Sequence, residues 1–101
     1  MTQPIDELDT PSVLVDLDAL EINIREMAEA ARSAGVALRP HIKTHKTPEI
    51  ARLQLAAGAV GVTCAKLGEA EVMAAAGITE ILIANQIVGA IKVRRLIAPT
   101  I

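Results

Sequence analysis

The stretch that decides the fold of this 101-residue chain is TPEIARLQLAAGAVGVTCAKLGEAEVMAAAGITEILIAN, from Thr47 to Asn85. Within it, AVGVTCA (59–65) and ILIAN (81–85) are apolar at nearly every position, as expected for strands covered by helices on both faces. A helix is predicted from Pro48, before the first run, and another at 67–76, between the two runs. Helices that alternate with short buried strands predict a parallel sheet joined by helical crossovers.

The same alternation extends outward from this stretch in both directions. Val13–Val15 is predicted to be a strand, and Asp18 is predicted to start a helix that ends at Gly35. Val36–Lys43 is predicted to be the next strand, and a last helix is predicted from about Gly89 to Ile97. Units of this kind, with short loops between strand and helix, belong to the α/β class of folds.

Two α/β architectures contain such units, the doubly wound sheet and the (β/α)8 barrel. The sequence lacks a G-x-G-x-x-G motif after its first predicted strand, which weakens the dinucleotide-binding sheet. A complete barrel needs about 250 residues. We therefore expect the N-terminal portion of a (β/α)8 (TIM) barrel, truncated after about four βα units and occupying residues 1–101 as one partial domain.

The composition excludes several classes of function. The chain is 51% hydrophobic and has a formal net charge of −2, which argues against nucleic acid as the main partner. No apolar run approaches the roughly 20 residues that span a bilayer, and the first residues do not resemble a secretory signal. The single cysteine, Cys64, excludes an internal disulfide, so a cytoplasmic location is expected. The absence of Trp, Tyr and Phe suggests that the chain is part of a larger unit, because aromatic rings usually dominate core burial.

A cluster of cations, RPHIKTHK (39–46), covers the end of the second predicted strand and the residues just after it. Side chains alternate on a strand, so Arg39, His41, Lys43 and His45 are predicted to share one face, at the carboxyl end where barrel enzymes place their chemistry. A partly desolvated lysine beside other cations has a lowered amine pKa, which suits Schiff-base chemistry with a carbonyl. Lys43 is the better candidate for this role, because Lys46 falls on the opposite face or in the loop.

Two other interpretations of the cluster remain open from the spacing alone. His41 and His45 could be metal ligands on a helix, but Pro40 and the strand pattern oppose a helix. On a strand these two residues stand about 13 Å apart, too far to share one ion. The other alternative is a solvated loop whose charges have no chemical role.

Four segments of the sequence carry a resemblance to a known family. They are TPSVLVDLDALEINI, LRPHIKTHKTPEIARLQLAAGAVGVTCAK, GEAEVMAAAGITEILIANQIVG and KVRRL. Together they resemble the start of the low-specificity D-threonine aldolases, which are fold-type III pyridoxal-phosphate enzymes related to alanine racemase and D-serine dehydratase. The resemblance runs from about Asp9 to Ile97, and its most specific part is R-P-H-x-K-T-H-K. It implies that Lys43 is the catalytic residue and holds pyridoxal 5′-phosphate as a Schiff base.

The resemblance also implies an activity. A lyase of this family would cleave D-threonine-like D-3-hydroxy amino acids to glycine and an aldehyde. The alternatives are a D-serine dehydratase-type ammonia-lyase and a non-catalytic pyridoxal-phosphate-binding protein. We expect the isolated 101-residue chain to be inactive, because one lysine cannot supply phosphate binding, metal and base together.

Further expectations concern the surroundings of Lys43. His41, His45 and Gln86 are predicted to contact the cofactor, although pocket-shaping roles for the histidines and strand-end capping by Asn85 or Gln86 remain alternatives. The family implies a divalent metal, whose ligands would lie in a C-terminal β domain outside this chain, so no metal ligand is assigned here. The expected partner is a small D-amino acid, with no membrane, and the full-length protein is expected to form a homodimer.

Three residues receive structural roles from the sequence. Arg39 is predicted to form a buried ion pair, Cys64 to be a small core residue, and Asp16 to cap a helix.

Overall fold

The computed structural model describes residues 2–98, in which helices alternate with short parallel strands. The predicted partial domain 1–101 therefore has its first residue and its last three outside the described range. No helix within the described range combines the length and the hydropathy needed to cross a bilayer. After a short 3-10 turn at Ile5–Glu7, the elements are α1 (Leu17–Ala34), α2 (Pro48–Ala56), β1 (Val62–Cys64), α3 (Leu67–Ala75), β2 (Ile81–Ile83) and α4 (Ala90–Ile97).

The first helix begins two residues earlier than the sequence predicts. Asp16, not Asp18, is the N-cap of α1, because its carboxylate accepts a hydrogen bond from the Ala19 N–H at 3.0 Å. At the other end Gly35 adopts a left-handed conformation, φ 69°, and its N–H closes the last turn, as predicted. Asp16 therefore has the capping role that the sequence indicates.

The sheet is built from parallel segments in the order of the chain. β1 pairs with β2 in register Val62 to Ile81, and His41 forms an isolated parallel bridge with Thr63. The Ile42 N–H donates to the Thr63 carbonyl at 2.9 Å, and the Thr63 N–H donates to the Pro40 carbonyl at 2.8 Å. The segment through His41 therefore lies beside β1, and the helical crossovers α2 and α3 connect the parallel segments, as predicted.

The strand predicted at Val13–Val15 is wrong. The structure shows no regular secondary structure at these residues and no sheet partner for them within residues 2–98, and Val13 is 95% exposed. An apolar run becomes a strand only when a neighbouring backbone pairs with its N–H and C=O groups. The prediction of a strand at Val36–Lys43 is also too long, because the segment contributes only the bridge at His41 and a turn begins at Lys43.

The core is small and lies between the sheet and helices α2 and α3. No residue of α1 or α4 is buried. The radius of gyration is 16.0 Å, larger than the roughly 13 Å of a compact 100-residue domain. The described chain is therefore more open than a compact domain of its length. The buried cluster consists of Ile42, Ala51, Val62, Cys64, Ala70, Met73 and Ile78.

Gly61 is required where the sheet and the Arg39 side chain come close together. A Cβ at this position would overlap the Arg39 guanidinium and the Glu80 carbonyl oxygen, and would lie 2.9 Å from the Glu80 Cβ. We expect Gly61→Ala to lower the free energy of unfolding by about 1–3 kcal/mol, the range of overpacked cores. Urea unfolding followed by circular dichroism measures this change.

A matched control is Gly68→Ala in α3. A Cβ at Gly68 meets nothing within 4 Å, and alanine favours the helix by up to about 1 kcal/mol relative to glycine. Gly68→Ala should therefore leave the protein equally or more stable. Equal unfolding midpoints for Gly61→Ala and the unsubstituted protein would contradict the close approach at Gly61.

Candidate active site

The parallel segments end at one edge of the sheet, as in other α/β folds. His41, Cys64 and Ile83 are the last residues of the three paired segments. We call the residues that follow them the carboxyl edge; they are Ile42–Lys46, Ala65–Lys66 and Ala84–Gln86. The predicted site residues Lys43, His45 and Gln86 all belong to this edge, and His41 directly precedes it.

Lys43 lies in a tight turn at the carboxyl edge, which we call the lysine turn (Ile42–Lys46). The turn is anchored by Ile42, whose side chain is fully buried, and is closed by a hydrogen bond from the Lys46 N–H to the Ile42 carbonyl at 2.8 Å. The Lys43 N–H donates to Nδ1 of His41 at 3.2 Å. The Lys43 residue itself is exposed at the surface of the edge.

The two lysines of the turn differ in what their amines contact. The Lys46 amine lies 3.5 Å from the Glu69 carboxylate, whereas Lys43 forms no salt bridge with another residue of 2–98. Lys46 also has a positive φ of 51°, a left-handed conformation that side chains other than Asn, Asp and Gly rarely adopt. Lys46 is therefore bound within the fold, whereas the Lys43 amine has no salt-bridge partner in the described part of the chain.

Glu69 in α3 is a buried carboxylate that the sequence analysis did not single out. It is 7% exposed, and Oε1 accepts the Ala65 N–H at 2.8 Å while Oε2 faces Lys46. The Ala65 hydrogen bond, more than the charges of Lys46 and Lys66, holds the pKa of the Glu69 carboxyl below its ordinary value, against the opposing effect of burial. Glu69 therefore remains ionised at neutral pH, although it is out of solvent.

One feature of the sequence could have indicated Glu69. It is the third residue of α3, the position at which a glutamate often reaches back to the residues before the helix. The usual serine or threonine at the N-cap is absent, since Lys66 stands there. The ion pair with Lys46, 23 positions earlier in the sequence, has no local signal at all.

His45 lies away from the face that strand alternation predicts, because the backbone has already left the strand at Lys43. Its Nδ1 accepts the Thr47 N–H at 2.9 Å, so the neutral ring carries its proton on Nε2. Nε2 lies 3.1 Å from Oε1 of Gln54 in α2 and donates to it. Both ring nitrogens therefore join the turn to α2, and contact of His45 with a cofactor stays a prediction.

Asn85 and Gln86 have different surroundings at the end of β2. The Asn85 side chain donates to the Ala65 carbonyl at 3.2 Å and accepts the Gln86 N–H at 2.9 Å, so it caps the strand end. Gln86 is exposed at the carboxyl edge, and its role in cofactor binding stays a prediction. Ala65 is thus held by Asn85 on one side and by Glu69 on the other.

Two residues with predicted structural roles lie below the carboxyl edge. The prediction of an ion pair for Arg39 is wrong: its guanidinium donates to the backbone carbonyl of Glu80 at 3.1 Å, and no carboxylate of residues 2–98 pairs with it. Cys64 is a fully buried core residue, as predicted. Burial, and secondarily the charge of Glu69, raises the pKa of the Cys64 thiol, so it is not a nucleophile at neutral pH.

An apolar groove of about 370 Å³ lies between α1 and α2. His41 and His45 are at its border, but Lys43 is not among its lining residues. Within residues 2–98 there is also no group of three or more His, Cys, Asp or Glu side chains that could hold a metal ion.

Known proteins of similar sequence and structure cover most of this chain. The chain is 51% identical to the D-threonine aldolase of Arthrobacter sp. over 89 residues, which is 88% of this chain and 24% of the relative. It is 49% identical to the D-threo-3-hydroxyaspartate dehydratase of Delftia sp. over 77 residues, 76% of this chain and 20% of that protein. The crystal structure of D-threonine aldolase from Filomicrobium marinum superimposes with a TM-score of 0.87 at 53% identity, covering 91% of this chain and 25% of the other.

These relatives share one family with the chain, although it spans only about a fifth to a quarter of the length of the three proteins just named. The family described as alanine racemase, N-terminal domain matches residues 15–101. The match includes the lysine turn, β1, β2 and the helices that follow each of them. The chain therefore belongs to the alanine racemase N-terminal domain family and has its mixed α/β fold.

Proposed function

We propose that the protein is a pyridoxal-phosphate-dependent lyase that cleaves D-threonine-like D-3-hydroxy amino acids, and that Lys43 is its cofactor-binding residue. The observation that carries the proposal is the position of the Lys43 amine. It follows the buried Ile42 at the carboxyl edge, on a turn closed by a backbone hydrogen bond, and is not engaged in a salt bridge with residues 2–98. Enzymes with parallel α/β sheets use this edge for their chemistry.

The groups present at the edge fit the reactive part of the implied cofactor. A primary amine that is exposed and unpaired can attack an aldehyde, whereas the Lys46 amine is occupied by Glu69. Lys43 would hold the cofactor through this amine, and His41, which accepts the Lys43 N–H through Nδ1, would support the backbone beneath it. When bound, the pyridine ring of pyridoxal phosphate supplies an electron sink for the bonds at the substrate Cα.

Lys43 has two tasks that its own amine must perform in this proposal. The amine must lose its proton before it can attack a carbonyl carbon, and exposure at the edge gives water and substrate access to it. When not attached to the cofactor, the Lys43 amine could hold a proton at Nζ. Gln86, exposed at the same edge, is proposed to bind cofactor or substrate through its amide.

We further propose that the chain forms the N-terminal portion of a (β/α)8 barrel. The open shape, the exposed Val13–Val15 segment and the match to a quarter of longer relatives support this. The isolated 101 residues would then lack groups needed for turnover, and a divalent metal would take its ligands from outside this chain.

The test separates cleavage from dehydration, which is the alternative favoured by the 49% identity to a dehydratase. The complete protein that contains these 101 residues, loaded with pyridoxal phosphate, is incubated with D-threonine. Aldol cleavage releases glycine and acetaldehyde, whereas dehydration followed by hydrolysis releases 2-oxobutanoate and ammonia. We expect glycine and acetaldehyde in equal amounts, with L-threonine as the control substrate. Release of ammonia and 2-oxobutanoate would overturn the aldolase in favour of the dehydratase.

A further inference from the structure

A buried charge connects α3 to the lysine turn. The Glu69 side chain is 6% exposed, and its ion-pair partner Lys46 is 55% exposed, so the contact reaches from the interior of the molecule to the carboxyl edge. Lys46 is the residue whose N–H closes the turn around Lys43. The pair therefore joins the first turn of α3 to the element that carries the candidate catalytic lysine.

The hydrogen bond from Ala65 does not explain why the buried side chain at position 69 is charged. A neutral acceptor such as glutamine could take the Ala65 N–H without the desolvation penalty that a buried carboxylate incurs. What a neutral side chain could not do is attract the Lys46 ammonium. Lys46 in the lysine turn is the cation with which Glu69 forms a salt bridge within residues 2–98.

The backbone conformation of Lys46 also depends on its ion pair with Glu69. Its φ of 51° is unfavourable for a lysine, and such a conformation persists only where surrounding contacts determine it. The contacts that hold Lys46 are its own N–H bond to the Ile42 carbonyl and the Glu69 ion pair. Without the ion pair, Lys46 itself keeps only its N–H bond to Ile42, while the hydrogen bonds of His45 still join the turn to α2.

We infer that Glu69 is a positioning residue for Lys43: through its ion pair with Lys46 it holds the lysine turn in the conformation that presents the Lys43 amine at the carboxyl edge. The inference rests on the proposed role of Lys43 as the cofactor-binding residue. Glu69 touches neither Lys43 nor, in this inference, the cofactor, and it acts only through Lys46.

The test uses charge-neutralising variants of the complete protein. Glu69→Gln keeps an oxygen that can accept from Ala65 but removes the charge, and Lys46→Met removes the cation. The matched control is Glu71→Gln, which neutralises the other salt-bridged carboxylate of α3, paired with Arg95 away from the lysine turn. Lys46→Arg restores a cation at position 46.

The first readout is the rate at which pyridoxal phosphate becomes fixed to Lys43 on borohydride reduction. We expect Glu69→Gln and Lys46→Met each to lower this rate roughly 10- to 100-fold, as misplaced reacting groups do. Glu71→Gln and Lys46→Arg should stay near the unsubstituted rate. The double variant should be no slower than either single variant, because both remove the same contact. The inference would be overturned if the fold-reductions in labelling rate of the two single variants multiplied in the double variant. A Glu69→Gln rate equal to that of Glu71→Gln would also overturn it.

The second readout needs no cofactor. Hydrogen exchange of the Lys46 N–H reports closure of the turn, and Glu69→Gln should accelerate it roughly tenfold or more relative to Glu71→Gln. Unchanged exchange would overturn the inference even if labelling fell. Conversely, label that never appears on Lys43 in the unsubstituted protein would refute the proposed function, while faster exchange in Glu69→Gln would still establish the coupling.

Discussion

Replacing Lys43 by alanine is expected to abolish covalent attachment of pyridoxal phosphate and to lower D-threonine cleavage by roughly 10³-fold or more, as loss of a covalent catalytic group does. The reason is that the Lys43 amine is the one free of a salt bridge in the lysine turn, whereas the Lys46 amine is held by Glu69. The measurement is borohydride reduction of the loaded protein, followed by peptide mapping and by an assay of acetaldehyde release.

The control for Lys43→Ala is Lys92→Ala in α4, which removes an exposed lysine outside the carboxyl edge. It should leave both labelling and cleavage unchanged. Label found on Lys46 in the unsubstituted protein, or persisting at full level in Lys43→Ala, would show that another amine holds the cofactor. Circular dichroism of both variants separates this result from a loss of folding.

The second large effect is expected on stability. Ile42 is fully buried between the sheet and the helices, and it belongs to a core of few residues. Ile42→Ala should lower the free energy of unfolding by about 2–5 kcal/mol, the range for buried isoleucine, leucine or methionine replaced by alanine. Because Ile42 also begins the lysine turn, this variant should lose cofactor labelling as it unfolds. Urea unfolding of the purified protein measures the change.

Ile91→Ala is the matched control, since Ile91 in α4 is 70% exposed. An exposed isoleucine contributes little burial, and surface substitutions usually change stability by less than about 0.5 kcal/mol. Similar losses at Ile42 and Ile91 would mean that α4 is covered in the folded protein as tightly as the core. A loss confined to Ile42 would confirm that the described core stabilises the fold.

The sequence predicted the helices and the two central strands because their signals are local, although β1 (Val62–Cys64) is shorter than the strand predicted at 59–65. Pro48 at the start of α2, Gly35 at the end of α1 and the apolar run around β1 each depend on residues within one turn or one strand. Val13–Val15 has an equally strong local pattern, yet it forms no strand in the structure. Pairing depends on a second segment of backbone, and an apolar run does not show whether that segment is present.

In the candidate site, too, the sequence placed some residues correctly and misplaced others. Lys43 at the carboxyl edge follows from the order of strand and helix along the chain, and its reactivity was proposed from that order and from a family resemblance. Strand alternation failed at His45, because the turn begins two residues earlier and directs the ring to Gln54 and Thr47. Alternation describes a backbone only while it remains extended.

By itself the sequence determined the α/β alternation, the family and the lysine to examine first. All three depend on patterns and motifs formed by residues close together in the sequence. Only the tertiary structure decided that Lys46 is held by a buried Glu69, that Arg39 bonds a backbone carbonyl, and that Ala65 lies between Asn85 and Glu69. These contacts join side chains of different βα units. Their partners are chosen by the packing of the parallel segments, and no local period in the sequence encodes which residues of neighbouring units will meet.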